Sequence, residues 1–208
     1  VPAGVTSFTV TVPTTQDTID EADETVKLSI GGKDATGTIV DNDGAPTIAS
    51  VDVSNADAKA DEGTALNFNV QLSNASASQT TFDFSLAGVT AGEGDFDRAG
   101  VTFSNGVTLS ADGKSVIVPA GVSSFTVTVP TINDTVDEAD ETLKLAVGGK
   151  DATGTIVDND DAPTIEHIGK ADPAAANPND VSADEGSELT FTVKLSNASS
   201  TSTTFDFV

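Results

Sequence analysis

The chain has 208 residues, a formal net charge of −24 from 33 acidic and 9 basic residues, and no Cys, Met, Trp or Tyr. The absence of cysteine excludes disulfides, thiolate zinc sites and cysteine nucleophiles. Without a basic patch to release counterions from phosphate, nucleic acid is not an expected partner. No apolar run approaches the roughly 18 residues of a membrane span, so no membrane insertion is expected. No signal peptide opens the chain, which we interpret as an excerpt of a longer protein.

The sequence repeats itself along its length. Residues 1–43 correspond to residues 118–160 without a gap, and Asp61-Glu62-Gly63 returns as Asp184-Glu185-Gly186 after a six-residue insertion (a shift of 123 against 117). A period of about 120 residues is too long for a solenoid and suits a whole small domain. We therefore predict a first unit at 1–44 (the back part of a domain), a complete central unit at 45–160, and a third unit at 161–208 (the front part of the next domain).

Three stretches of the central unit alternate apolar and polar residues. Their apolar faces run from Leu66 to Leu72, from Phe82 to Leu86 and from Phe125 to Val129. This period of two predicts half-buried antiparallel strands, with turns at signals such as Asn105-Gly106. With about seven to nine strands and no helical period, the predicted fold class is all-β, a tandem of immunoglobulin-like two-sheet β-sandwich repeats. Nearly all ten phenylalanines lie on apolar faces, and we interpret them as core residues.

The stretch from Pro130 to Asp160 combines two acidic runs with a predicted hairpin. It contains, in order, an acidic loop at Asn133–Glu141, a strand at Leu143–Val147, a turn at Gly148-Gly149, a strand at Thr153–Val157 and a closing Asp158-Asn159-Asp160. Because a hairpin returns its last residue to the level of its first, the acidic runs should meet at one end of a sheet. Only Lys144 and Lys150 lie nearby, so these carboxylates would repel one another without a bound cation. A hard cation held through oxygen indicates Ca²⁺.

Four ordered motifs of the central unit resemble a Calx-beta domain, a calcium-binding sandwich found in sodium–calcium exchangers and in long bacterial surface proteins. Glu62-Gly63 is similar to the family's Glu-rich bend, and Gly94-Asp95-Phe96 to its Gly-x-Asp-Tyr, with Phe for Tyr. Ile132–Glu141 resembles the central Asp-Asp-x-x-x-Glu-x-x-Glu segment, and Thr155–Asp160 the terminal Ile-x-Asp-Asp-Asp. The resemblance covers residues from about 48 to 160.

The resemblance implies a site for about two Ca²⁺ ions, each taking roughly six to eight oxygens. The implied side-chain ligands of the central unit are Glu62, Asp95, Asp134, Glu138, Glu141, Asp158 and Asp160. Asn133 and Asn159 stand where the family often has Asp and would ligate through amide oxygens, and Val136 through its backbone carbonyl. The first unit keeps Asp17, Glu21, Glu24, Asp41 and Asp43, and the third unit keeps Glu185 alone. Both partial sites are expected to bind calcium poorly.

The tandem arrangement, the Asp/Thr/Val/Gly-rich composition and the lack of cysteine look like the extender region of a giant bacterial biofilm adhesin, such as the RTX class exported by type I secretion. The resemblance implies an extracellular spacer on the bacterial cell surface, in which Ca²⁺ rigidifies each domain and its junctions with neighbouring repeats. The partial units should be less stable than the central unit, or be covered by neighbouring chains through head-to-tail contacts.

Other interpretations of the acidic residues stay open at the sequence level. An acidic run is often a solvated face, but its return in the same strand–loop order favours a metal, and Mg²⁺ prefers fewer carboxylates and more water. A calcium-dependent module that binds a glycan or protein ligand is the alternative function.

Catalysis is not expected. Glu138 and Glu141 could form a glycosidase pair, but sugar sites usually offer aromatic platforms, and this chain has no Trp or Tyr. No carboxylate lies in an evidently apolar setting that would raise its pKa. The single histidine, His167, lies at a junction, where it offers no base to a nucleophilic serine. Asn74-Ala75-Ser76 and Asn197-Ala198-Ser199 fit a glycosylation sequon, which is a short and common match.

Overall fold

Two β-sheets form the central unit, as the alternating pattern predicts. A computed structural model describes residues 1–208. Its strands in chain order are β1 (Glu24–Ile30), β2 (Lys33–Ile39), β3 (Ile48–Val53), β4 (Lys59–Asp61), β5 (Ala65–Leu72), β6 (Thr80–Gly88), β7 (Thr102–Phe103), β8 (Thr108–Leu109), β9 (Ser115–Val118), β10 (Ser124–Pro130), β11 (Val136–Asp137), β12 (Glu141–Val147), β13 (Lys150–Val157), β14 (Ile165–Gly169), β15 (Thr192–Leu195) and β16 (Ala198–Ser199). The helical content is one 3-10 turn at Ala56–Ala58, and no helix has the length and apolarity needed to cross a membrane.

The two sheets of the central unit have the strand orders β3-β5-β10-β7 and β4-β13-β12-β6-β9-β8. All neighbours are antiparallel except β13 and β4, which run parallel. The all-β sandwich prediction is confirmed. The central unit contains eleven strands, β3 to β13, rather than seven to nine, because β7, β8 and β11 have only two residues each and are too short to show a period of two.

The core lies between the two sheets and is formed by the predicted apolar faces. Leu66 and Phe68 of β5 and Leu143 and Leu145 of β12 are fully buried. Gly154 of β13 faces this cluster, and a Cβ there would come within 3.0 Å of the Leu66 side chain. The absence of a side chain at this position therefore lets β5 pack closely against β13.

A tight hairpin joins β12 to β13 and sets the level at which the acidic runs emerge. Gly148 and Gly149 both have positive φ, 53° and 82°, which is the requirement of a type I′ turn. The hairpin pairs Glu141 with Ile156. The residues just before β12 and just after β13 therefore lie side by side at the far end of the hairpin.

The phenylalanine prediction holds in the central unit and is wrong in the other two units. Phe8 is 59% exposed, whereas Phe125, its counterpart in the central unit, is 2% exposed. Phe191 is 53% exposed, whereas its counterpart Phe68 is fully buried. Phe205 is also exposed, at 39%, as is Phe207. The first unit has only the β1–β2 pair and the third only the β14–β15 pair and β16, so no second sheet covers these apolar side chains.

Candidate metal centre

Three chain segments meet at one end of the sandwich and bring the acidic residues together. β4 runs beside β13 with Asp61 opposite Val157, so the residues that follow each strand emerge as neighbours. The backbone amide of Glu62 donates to the carbonyl of Val157 at 3.1 Å. The acidic loop closes onto the same place, because the amide of Glu138 donates to Oδ2 of Asp158 at 3.1 Å. The prediction that the two acidic runs meet is confirmed.

One group of carboxylates is formed by Glu62, Asp134 and Asp160, each of which places an oxygen within 4.8 Å of the others. Glu62 is only 8% exposed. Oε2 of Glu62 and Oδ2 of Asp160 are buried and have no hydrogen-bond partner. A buried charged oxygen without a hydrogen-bond partner is unfavourable, so this group is suited to hold a cation or a proton.

The electrostatics of this first group agree with its geometry. Burial is the main cause that raises the pKa of Glu62, a backbone contact with Asp134 opposes the shift, and the charges of Asp134 and Asp158 add to it. Burial and the neighbouring charge of Asp158 likewise raise the pKa of Asp160. The folded chain holds these negative charges together at a cost in free energy.

A second group is formed by Asp95, Glu138 and Glu141, which are half-buried and also lie within 4.8 Å of one another. Burial, and then the hydrogen bond and charge of Asp95, raise the pKa of Glu141 to about 7. The sequence-based expectation that no carboxylate has a setting that raises its pKa is therefore wrong. Burial, followed by the charges of Asp134 and Asp95, raises the pKa of Glu138. Asp95 is held in place by its own backbone, because its carbonyl accepts from the amide of Ile132 at 2.9 Å.

The donor set fits a hard divalent cation. The two groups together offer six carboxylates, and none of the six forms an ion pair with a lysine or arginine in the structure. The closest ion pair in this part of the chain joins Lys59 to Asp140 at 3.2 Å and involves none of the six. Ca²⁺ prefers carboxylate and carbonyl oxygens in this density, whereas Mg²⁺ keeps more of its water.

The remaining predicted ligands lie around the two groups and connect the loops. Both side-chain oxygens of Asp158 accept backbone hydrogen bonds, from Glu138 and from Asp160. Asn159 donates to the amide oxygen of Asn133 at 2.9 Å, and Val136 lies in β11. Asp158 therefore belongs to neither group of three and instead ties the acidic loop to the end of β13. As calcium ligands, Asp158, Asn133, Asn159 and Val136 stay predictions, and so do the six carboxylates of the two groups.

The acidic residues of the first unit repeat the loop geometry without forming a closed group. Asp17, Glu21, Glu24, Asp41 and Asp43 line one open cleft of about 280 Å³. The amide of Glu21 donates to Asp41 at 3.1 Å, as Glu138 does to Asp158. No three of these carboxylates approach within 4.8 Å, since residues 1–44 contain no counterparts of Glu62 and Asp95. Glu185 of the third unit is exposed in a turn.

The division of the carboxylates into two groups of three could not be predicted from the sequence, because Glu62 and Asp95 lie far from the acidic loop along the chain. The role of Asp137, which lies inside the acidic loop but contacts the third unit, was also missed. Asp137 pairs with Ser199 across the junction. The only available signal was the return of the same Asp and Ser at Asp20 and Ser76.

Comparisons with known proteins give no family for this chain. No protein-family model matches it, and no curated protein matches it. Among solved structures, the chain is similar to domains 4 and 5 of the S-layer protein SbsC, with 19% identity, a TM-score of 0.33, and coverage of 65% of this chain and 65% of that one. A structure of SbsC domains 4–9 matches with 15% identity, a TM-score of 0.33, and coverage of 83% and 23%. The chain thus spans less than two thirds of either structure, and the fold assignment rests on the two sheets themselves.

Proposed function

We propose that the central unit is a calcium-binding repeat of Calx-beta type and that the chain is part of an extender region of a bacterial cell-surface adhesin, without catalytic activity. The observation that carries the calcium proposal is the pair of buried, unpartnered oxygens on Glu62 and Asp160, set within a group of three carboxylates. The second group, around Glu141, lies close enough to share the charge of the first, since Asp134 contributes to the raised pKa of Glu138.

Two ions fit this arrangement better than one. Six carboxylates carry three times the charge of one divalent cation, and they are divided into two groups of three. In this proposal Glu62, Asp134 and Asp160 hold one ion, and Asp95, Glu138 and Glu141 hold the other. A bound Ca²⁺ would supply the positive charge that offsets the repulsion among these residues.

The extender role is supported by the tandem arrangement. The same unit recurs along the chain, and the contact between the first and central units returns between the central and third units, at Asp20–Ser76 and Asp137–Ser199. A spacer needs a regular geometry from one repeat to the next, and a recurring contact supplies it. The extracellular location and the membership of the RTX class are parts of this proposal that rest on the sequence resemblance.

The test is a calorimetric titration of Ca²⁺ into the chelator-stripped 208-residue chain, with a parallel thermal melt. We expect binding and a rise in melting temperature that follows RT ln(1 + [L]/Kd). Titration of Mg²⁺ under the same conditions should give weaker heat. No heat and no thermal shift at millimolar Ca²⁺ would show that the carboxylates form a solvated face and would overturn the calcium proposal.

A further inference from the structure

The sequon-like segment Leu-Ser-Asn-Ala-Ser occurs once in the central unit, at Leu72–Ser76, and once in the third unit, at Leu195–Ser199. The proposed cation sites make no use of it. We call each copy a docking segment. In both units it lies at the boundary with the preceding unit, and its leucine is the last residue of a strand, β5 or β15.

At the first junction, the docking segment contacts two residues of the preceding unit, Asp20 and Gly44. The hydroxyl of Ser76 donates to Oδ2 of Asp20 at 2.7 Å. The backbone of Asp20 is bonded on both sides, its amide to the carbonyl of Ala75 at 3.1 Å and its carbonyl to the amide of Ala77 at 2.8 Å. The side chain of Asn74 donates to the carbonyl of Gly44 at 2.8 Å.

The second junction repeats these contacts with other residues. The hydroxyl of Ser199 donates to Oδ2 of Asp137 at 2.6 Å, and the amide of Ser200 donates to the carbonyl of Asp137 at 2.9 Å. The side chain of Asn197 donates to the carbonyl of Asp161 at 2.8 Å. Asp161 stands where the first junction has Gly44, which is allowed because only its backbone carbonyl takes part. The geometry is kept although the third unit carries the six-residue insertion.

The docking segment is also held firmly within its own unit. The hydroxyl of Ser73 accepts from the amide of Thr47 at 3.0 Å, and the carbonyl of Ser76 accepts from the amide of Gly121 at 2.8 Å. Ser76 is only 3% exposed. A buried hydroxyl needs a partner, and a bond from a hydroxyl to a carboxylate is shorter and stronger than one between neutral groups.

We propose that the Leu-Ser-Asn-Ala-Ser segment is a docking element through which each unit recognises the preceding one, its partner being the Asp at the position of Asp20 and Asp137. The contact involves hydrogen bonds to one carboxylate, one backbone strand segment and one linker carbonyl. The contact does not require a bound cation, so it can be tested independently of the proposed calcium sites. The side-chain amide of Asn74 takes part in this contact through its hydrogen bond to Gly44.

The test measures amide hydrogen exchange by NMR on the full chain, in the variants Ser76→Ala and Ser199→Ala. In Ser76→Ala we expect the amides of Asp20 and Ala77 to exchange about tenfold faster or more, because a hydrogen bond to a charged group is lost. The amide of Ser200 should keep its wild-type rate. Ser199→Ala should give the reverse pattern, so each variant is a control for the other.

Two further variants distinguish loss of the contact between units from general unfolding. Ser85→Ala removes a hydroxyl from the exposed face of β6 and should change neither junction. Asp20→Ala removes the carboxylate partner on the first unit without altering the central sandwich. It should increase the exchange rate of the Ala77 amide, as Ser76→Ala does. Unchanged exchange of the Ala77 amide in both Asp20→Ala and Ser76→Ala would overturn the proposal.

Discussion

Glu62 and Asp160 each bury one carboxylate oxygen that no hydrogen-bond donor reaches. Most buried polar atoms in proteins have a hydrogen-bond partner. The exceptions indicate positions where a ligand or a proton would bind. Both residues belong to the same group of three with Asp134. At the scale of single residues, the acidic end of the sandwich therefore concentrates negative charge that a bound cation or a proton would offset.

Removing charge from the second group should weaken calcium binding and strengthen the metal-free fold. In Glu138→Gln/Glu141→Gln we expect the Kd for Ca²⁺ to rise about tenfold or more, because ligand charge sets affinity. The melting temperature without calcium should rise, because repulsion is relieved. The matched control is Asp52→Asn/Asp83→Asn, which removes two exposed carboxylates away from the site. A lower melting temperature for the metal-free double variant would contradict the clustered-charge picture.

The metal-free chain should lose stability as pH rises from about 4.5 to about 7. The folded-state pKa of Glu141 is about 7 against an ordinary 4.5, so the folded state holds more protons than the unfolded state between these values. Stability from this residue is complete below the lower value and is lost as pH passes the higher one. Thermal melts at pH 5 and pH 7.5 after removal of metal measure the difference, and Glu141→Gln should reduce it. A melting temperature that rises between pH 5 and pH 7.5 would exclude the raised pKa of Glu141.

At the scale of strands, the alternation of residues in β5, β6 and β10 predicted the sheets correctly, because one face of each strand meets the core. The two-residue strands β7, β8 and β11 could not be predicted from residue alternation. They are strands because they pair with a neighbouring strand, and their own residues show no pattern. The same limit applies to the candidate site. The hairpin predicted that the acidic residues before β12 and after β13 would meet. The placement of Glu62 and Asp95 depends instead on the parallel β4–β13 pairing and on the loop held by Ile132.

Two corresponding phenylalanines, one in the first unit and one in the central unit, allow a matched pair of substitutions. The pair measures how much core packing stabilises each unit. Phe125→Ala in β10 should cost about 3–5 kcal/mol, because this side chain is 2% exposed. Phe8→Ala, at the corresponding position of the first unit, should cost less than about 0.5 kcal/mol. Urea unfolding of both variants measures the costs. An equally large cost for Phe8→Ala would mean that another chain covers the first unit in solution, and it should then depend on protein concentration.

At the scale of the whole chain, calcium should narrow the range of angles between units. The acidic loop that carries Glu138 also carries Asp137, which contacts the third unit, so order in the loop is passed to the junction. The chain has no cysteine, so spin labels can be placed at Lys150→Cys and Glu188→Cys, two exposed positions in the central and third units. We expect the distance distribution between the labels to become narrower when Ca²⁺ is added.

The control for this measurement is the same labelled pair in the Glu138→Gln/Glu141→Gln background, in which the response to calcium should be reduced. A distribution of equal width with and without Ca²⁺, in a protein shown by calorimetry to bind the ion, would separate the two parts of the proposed function. The sites would then stabilise the sandwich alone and leave the junctions unaffected.

The joint between units also determines how the chain responds to a pulling force. The docking segment and the acidic loop are held by a few hydrogen bonds, whereas the sandwich behind them is held by two full sheets and a continuous core. Under tension the joints should therefore open first and the folded units later. Each opening releases only the short linker between Asp158 and Thr164, at no more than about 3.6 Å per residue. A string of such units would yield in small reversible steps, dissipating load while every sandwich stays folded.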